Sequence, residues 1–324
     1  MIPIHPLVTT ASFVADSSLS SLDPRQFWGI PLALVGAALM SFGAQYQSRG
    51  LNKVERLTGE SAGSGLSSRQ TLGLFRRPSW VIGTALLGLA IAFQIGALAL
   101  SPLIVVQPLG VVAMLITAIL NSRLSGLRLP KRSMLFLAMC VSGIMTFVLV
   151  AAFTAADRPV TDQKLTTILL IFVVVLAAAV VGFLLVRHRA IALFYIVGAG
   201  VLYGFVATFA KTIIGRVQQN DFDWLAVACV IALLAGGLLG MMFVQNAYSS
   251  GPPDLVIAGL TVVDPLVAIL IGIAVLNEAA NAPAWAAFVF VVTGIIALIG
   301  VIGLAKSHPQ TGRNVLAEQH GLTS

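Results

Sequence analysis

Nine separate stretches of the chain, at 28–46, 80–100, 103–120, 134–153, 165–186, 191–210, 224–247, 255–276 and 285–304, are apolar for long enough to decide the fold class. A helix rises about 1.5 Å per residue, so about twenty residues cross a ~30 Å hydrocarbon layer, and each stretch has that length. Inside such a layer no water satisfies open backbone groups, which makes helices the required form. Composition agrees, with 58% hydrophobic and 10% charged residues in 324, a balance found in polytopic membrane proteins. The expected fold is an all-α polytopic membrane protein of nine transmembrane helices over 28–304. An external N-terminal tail at 1–27 precedes it and a disordered cytoplasmic tail at 305–324 follows, too poor in apolar residues to pack. The segment before Trp28 has no basic n-region and carries Pro3 and Pro6, so it does not read as a cleavable signal peptide.

A net charge of +7 is a topology signal here and not a sign of nucleic-acid binding, because the basic residues fall between apolar stretches. Of the nineteen Lys and Arg, fourteen lie after odd-numbered stretches or in the C-terminal tail, and only Arg25, Arg158, Lys164, Lys211 and Arg216 lie on the other side. The positive-inside rule then puts the N-terminus outside and the C-terminus in the cytoplasm of a multi-pass protein of the cell (plasma) membrane.

The stretches also sort into four, one and four. In the first block a stretch opened by Trp80 leads into one containing Gln107-Pro108-Leu109 and ending in Leu-Asn at Asn121. In the second, Trp224 opens a stretch that leads into one containing Asp264-Pro265-Leu266 and ending in Leu-Asn at Asn277. Repeat one is thus 28–153, the linking helix 165–186 and repeat two 191–304. An odd helix between like blocks turns them opposite ways across the bilayer, as in many secondary transporters. Laying Gly36-Ala37 over Gly198-Ala199 brings Arg49 opposite Lys211, a pair of candidate interface charges at opposite surfaces. Lys211 also reads as an end-of-helix lysine reaching for the interface.

Asp264 is the one carboxylate deep inside a stretch, about 15 Å in from Asp254 at the helical rise, the costliest depth for a charge. Asp is a strong N-cap and proline suits a first helical position, so Asp264-Pro265 is expected to start a half-helix within the membrane, with Pro108 as the matching break. Asp264 is the candidate substrate or proton site, Gln107 its pseudo-symmetric counterpart, and Gln94, Gln245 and Asn246 further polar candidates. Glu278 and Asp254 flank the eighth stretch and are expected to be solvated. Cys140 and Cys229 read as buried small hydrophobes, and His5, His188, His308 and His320 all fall outside the stretches, so no metal site and no cofactor are expected. With no phosphate-binding glycine loop and no nucleophile triad, the chain is not expected to be an enzyme.

The run 97–143, with Leu-Ser-Pro, Gln-Pro-Leu-Gly and Leu-Asn-Ser-Arg-Leu, resembles the terminal helices of repeats in the drug/metabolite transporter superfamily. The run 251–303, with Pro-Pro-Asp, Asp-Pro-Leu-Val and Val-Leu-Asn-Glu, resembles the matching part of a second, EamA-like repeat. Nine stretches with an external N-terminus are most similar to the branch that includes the NIPA-type magnesium transporters. The resemblance implies a ten-helix bundle of two inverted five-helix repeats, here without its first helix. The chain departs from the NIPA-type pattern, which has Thr-Pro where Gln107-Pro108 and Asp264-Pro265 stand.

The function expected is secondary transport of a small organic solute, drug-like cation or lipid-linked metabolite, proton-coupled through the midplane carboxylate. The alternatives are a NIPA-like Mg²⁺ or divalent-cation carrier and a non-transporting membrane scaffold of an envelope-assembly complex. Expected partners are membrane lipids and a small-molecule or cation substrate. Small residues four apart, Gly200 with Gly204 and Gly236 with Gly240, allow close helix packing and leave a homodimer open.

Overall fold

The computed structural model describes residues 25–58, 77–124, 131–186, 192–251 and 253–307. Residues 1–24, most of the first long loop and the tail beyond 307 lie outside them, and with them the expectations placed on those segments. The regular secondary structure of the described residues is all helical, with no strand. The helices are α1 (Gln26–Thr58), α2 (Pro78–Leu100), α3 (Leu103–Leu124), α4 (Lys131–Thr154), α5 (Asp162–Val186), α6 (Ala192–Gln218), α7 (Trp224–Ser250), α8 (Pro253–Ala274) and α9 (Ala284–Ser307). Eight are long and apolar enough to cross a membrane. The exception is α3, whose apolar part is the shorter Leu103–Thr117. The chain is therefore a multi-pass membrane protein by the length and composition of its helices.

Large apolar side chains cover the outside of the bundle, among them Trp28, Val174, Leu185, Leu238 and Phe288. In water such a surface would be prohibitive, whereas against lipid tails it costs nothing. Packing between helices then depends on close backbone approach at small residues. A Cβ on Gly83 of α2 would meet the Gln47 amide nitrogen of α1 at 2.6 Å, and one on Gly300 of α9 would meet the Cys140 nitrogen of α4 at 2.5 Å. Gly200 and Gly204 of α6 lie against Val263 and Val267 of α8, where added Cβ atoms would come to 2.6 and 2.7 Å.

The packing follows one pattern twice. α1 runs along α2 and α3, as α6 runs along α7 and α8, while α3 crosses α8 and α4 lies along α9. α5 sits at the flank against α7 and α6, where Phe172 meets Phe205 and Phe209.

Two local expectations are corrected. α8 does not begin at Asp264-Pro265 but runs unbroken through it, as α3 runs through Pro108. A proline costs one intrahelical hydrogen bond, and in a packed transmembrane helix the neighbours hold the rest of the ladder together. α6 also continues two turns past 210, so Lys211 is not an end-of-helix residue.

Candidate functional site

The structure sets Asp264, within the bundle, apart from a group of polar side chains at one end of it. Asp264 sits on the face of α8 that packs on α6, where Gly204 leaves room for its backbone: a Cβ there would be 3.0 Å from the Asp264 carbonyl oxygen. Tyr203 on α6 lies within electrostatic reach of the carboxyl group. The residue is half-buried, yet its Oδ1 is sealed from solvent and has no hydrogen-bond partner among the described residues. An unsatisfied buried carboxylate oxygen is costly and does not support the fold around it.

One residue along, Pro265 faces a different space. A cavity of about 350 Å³ opens between α3, α4, α8 and α9, walled by Pro108, Ile144, Phe147, Pro265 and Phe290 with Thr261 beside them. Both predicted helix-breaking prolines therefore line one cavity, from the two helices that cross. Pro265 has no N–H for the Thr261 carbonyl, and the Thr261 hydroxyl donates to Ile257 O at 2.7 Å. The wall is otherwise apolar, and its volume falls in the range of small-molecule pockets. Asp264 does not line this cavity; it approaches it from the neighbouring face of the same helix turn.

The other candidates do not join Asp264. Gln107 is buried on α3. Gln94 is half-buried on α2, the helix that packs on α1. Gln245 is exposed, and Asn246 donates to Met242 O of its own helix at 2.8 Å. Both lie about 9 Å along the bundle axis from the depth of Asp264, counting residues from the α7–α8 turn. Arg49 is exposed and lies over the Tyr46 ring at 5.7 Å, so it does not mirror its aligned partner.

That partner, Lys211, is buried among polar groups at the end of the bundle formed by the α2–α3 turn, segments 155–161 and 219–223, and the α8–α9 connection. Its Nζ donates to Leu98 O at 2.7 Å, to Ser101 O at 3.0 Å and to Asp157 Oδ2 at 2.7 Å. These carbonyls belong to the C-terminal turn of α2 and the residue capping it, where a cation is favoured. Arg216, one turn and a half further on, is also buried and pairs with Asp162 and Asp221. Gln218 Nε2 donates to Ala99 O at 2.9 Å, and Arg158 Nη2 to Asn281 Oδ1 at 2.8 Å.

Glu278 overturns its expected solvated role most completely, being 2% exposed. Its Oε1 accepts from Leu103 N and its Oε2 from Ile104 N, both at 2.8 Å, so it caps the N-terminus of α3 from the α8–α9 connection. The local sequence puts it there. Asn277 takes a left-handed φ of 59°, which asparagine tolerates, and Glu278 N donates back to Gly272 O at 3.0 Å, closing the turn that follows α8. Gly272 leaves space for the returning side chain, since a Cβ there would sit 2.8 Å from Oε2. Burial pushes the carboxyl group up to about 7, while the two backbone N–H groups and the Lys211 ammonium pull it back. Sequence reasoning missed this cap, because the short Leu-Asn-Glu run carries no mark of the distant helix it serves.

Among the described residues no three His, Cys, Asp or Glu side chains gather as a metal site would require. No protein family matches the chain, and no solved structure matches it. An uncharacterised protein of Corynebacterium glutamicum is 26% identical over 248 residues, covering 75% of this chain and 84% of that protein.

Proposed function

We propose that the chain is a secondary transporter of the cell membrane, built as two inverted four-helix repeats around α5 in the manner of the drug/metabolite transporter superfamily, and that it moves a small amphiphilic organic solute or cation. The doubled packing pattern supports the repeat reading: α1 with α2 and α3 answers α6 with α7 and α8, while the like pairs α3/α8 and α4/α9 meet each other. With the basic residues inside, the end carrying Glu278 and Lys211 faces outward and the C-terminus is cytoplasmic.

The observation that carries the reading is Asp264 Oδ1, buried at mid-depth without a partner beside a proline-lined cavity. Folding gains nothing from such a group, whereas a carrier gains an acid that takes either a proton or a cation and so couples the two by exclusion. The apolar wall favours organic cargo over a hydrated metal ion. A magnesium pathway calls for converging oxygen ligands, which the apolar wall of this cavity does not supply.

The test is flux in proteoliposomes with an imposed pH gradient, using ethidium as a lipophilic-cation probe and a neutral amphiphile of similar size. Gradient-driven flux is expected in the natural protein and lost in Asp264→Asn at unchanged reconstitution. Equal flux in the variant would remove Asp264 from the mechanism.

A further inference from the structure

We propose that Glu278 is a proton-binding site that holds the outer end of the bundle shut: as a carboxylate it clamps the first turn of α3, and on taking a proton from the external water it lets that turn go. Because this role presupposes the transporter reading, the clamp is the outer gate of that carrier, separate from the midplane site at Asp264.

The geometry gives the two states. An ionised carboxylate offers an acceptor on each oxygen, and both are used by the Leu103 and Ile104 N–H groups. Protonation turns one oxygen into a donor facing an N–H, so at least one bond is lost, together with the favourable placement of an anion at a helix N-terminus; the carboxyl group stays withdrawn from water against Gly272, where losing those two donors raises its proton affinity further, so the proton favours the released turn. The proton ends on a Glu278 oxygen and no other bond is made or broken.

The charged groups around Glu278 come from three elements. Lys211 on α6 attracts it, Asp157 in the 155–161 segment repels it, and Lys164 at the start of α5 lies within its field. Arg158 of the same segment is tied to Asn281 of the α8–α9 connection. Main chain joins them too, since Ala156 N donates to Glu278 O at 2.9 Å. One residue therefore ties α3, α8 and the α4–α5 segment, and Lys211 ties α6 and α2 to the same segment.

A hinge lies next to the clamp. Pro108 cannot donate to the Ile104 carbonyl, so the turn whose N–H groups Glu278 holds is bound to the rest of α3 by one bond fewer. Pro108 also lines the midplane cavity, about 6 Å further along the helix at the normal rise. Releasing the first turn of α3 thus moves a wall of the cavity. The opposite end has no matching clamp in sequence: the position aligned with Glu278 is Ser122, and Arg49 lies exposed over Tyr46 instead of bridging helices.

The experiment is hydrogen–deuterium exchange of segment 101–106 in lipid nanodiscs at about pH 5.5 and about pH 8.5, corrected for the intrinsic pH dependence of exchange. In the natural protein protection of Leu103 and Ile104 is expected to fall at least about tenfold at the lower pH, with a midpoint of about 7. Glu278→Gln is expected to show low protection at both. Equal protection at both pH values in the natural protein, or a pH response that persists in Glu278→Gln, overturns the proposal. Should that variant fail to fold, the infrared spectrum of Asp264→Asn, which removes the other buried acid, decides: a protonated carboxyl band must appear with the same midpoint as the loss of protection, and its absence is equally fatal. Asp264→Asn should keep the exchange switch while losing flux. An intact switch without flux of any probe would sink the transporter reading and leave the clamp standing.

Discussion

Replacing Lys211 by methionine keeps the aliphatic stem and its packing while removing the ammonium group, so the loss reports on three polar contacts alone. They are unequal. Asp157 is 37% exposed in its side chain, and water rehydrates it when the cation is gone, so the ion pair contributes no more than ~1 kcal/mol. The Leu98 and Ser101 carbonyl oxygens belong to residues 3% and 0% exposed and have no such recourse. Each stranded acceptor costs ~1–3 kcal/mol, less whatever local water enters, which puts Lys211→Met at ~2–4 kcal/mol. Asp157→Asn should cost under ~1 kcal/mol, and the double variant should match Lys211→Met closely. The assay is reversible unfolding by SDS titration in mixed micelles, with the three variants compared at one pH. If Asp157→Asn costs as much as Lys211→Met, the ion pair is the anchor and the assignment of the cation to the α2 carbonyls is wrong.

Gly204→Val places a side chain where even a Cβ is 2.7 Å from Val267, so α6 and α8 must part; loss of monodisperse protein in size-exclusion chromatography is expected, while Gly237→Ala, with open space at its Cβ, should stabilise by up to ~1 kcal/mol. For Glu278, a folded carboxyl raised from 4.5 to about 7 means that the folded chain holds more protons than the unfolded one between those values. Stability therefore falls as pH rises through that window, by up to ~3 kcal/mol, and the loss is complete above it. Thermal midpoints of the natural protein should decline from about pH 5 to about pH 7.5 and do so less steeply in Glu278→Gln, which keeps the buried Asp264; an equal decline in both would assign the effect to another group. Gly272→Ala crowds Oε2 and should weaken protection of Leu103 and Ile104 at every pH, read by the same exchange measurement.

The helices were legible because the bilayer imposes length and apolarity on them, and the two proline motifs were legible because Gln107-Pro108 and Asp264-Pro265 interrupt that apolarity at corresponding places in the two blocks. What those motifs do to the backbone was not. A strong cap followed by proline predicts a helix start in water, but in a packed bundle the surrounding helices carry α8 through the missing bond. Lys211 was misjudged because the apolar stretch ends at 210 while the helix continues to Gln218, held by polar partners that only the fold assembles. Glu278 was hidden for a related reason. Nothing in Val-Leu-Asn-Glu states that a left-handed asparagine will swing the glutamate back over a helix that begins 175 residues earlier.

Two carboxylates withdrawn from water in one bundle behave differently, because the fold satisfies one and leaves the other unsatisfied. Glu278 has every acceptor position that matters filled by backbone donors and a lysine nearby, so its burial closes the molecule at one end. Asp264 has one oxygen sealed with no partner, on a helix whose close approach to α6 depends on glycines that cost helix stability of their own. If folding were its only purpose, an apolar residue of similar size would serve better, as replacing buried polar groups with apolar ones of matched shape is neutral or stabilising. Asp264→Leu should therefore raise resistance to SDS by about 1 kcal/mol or more while abolishing flux. A variant that loses both stability and flux would mean that Asp264 holds the helices together and that the carrier's acid must be sought elsewhere.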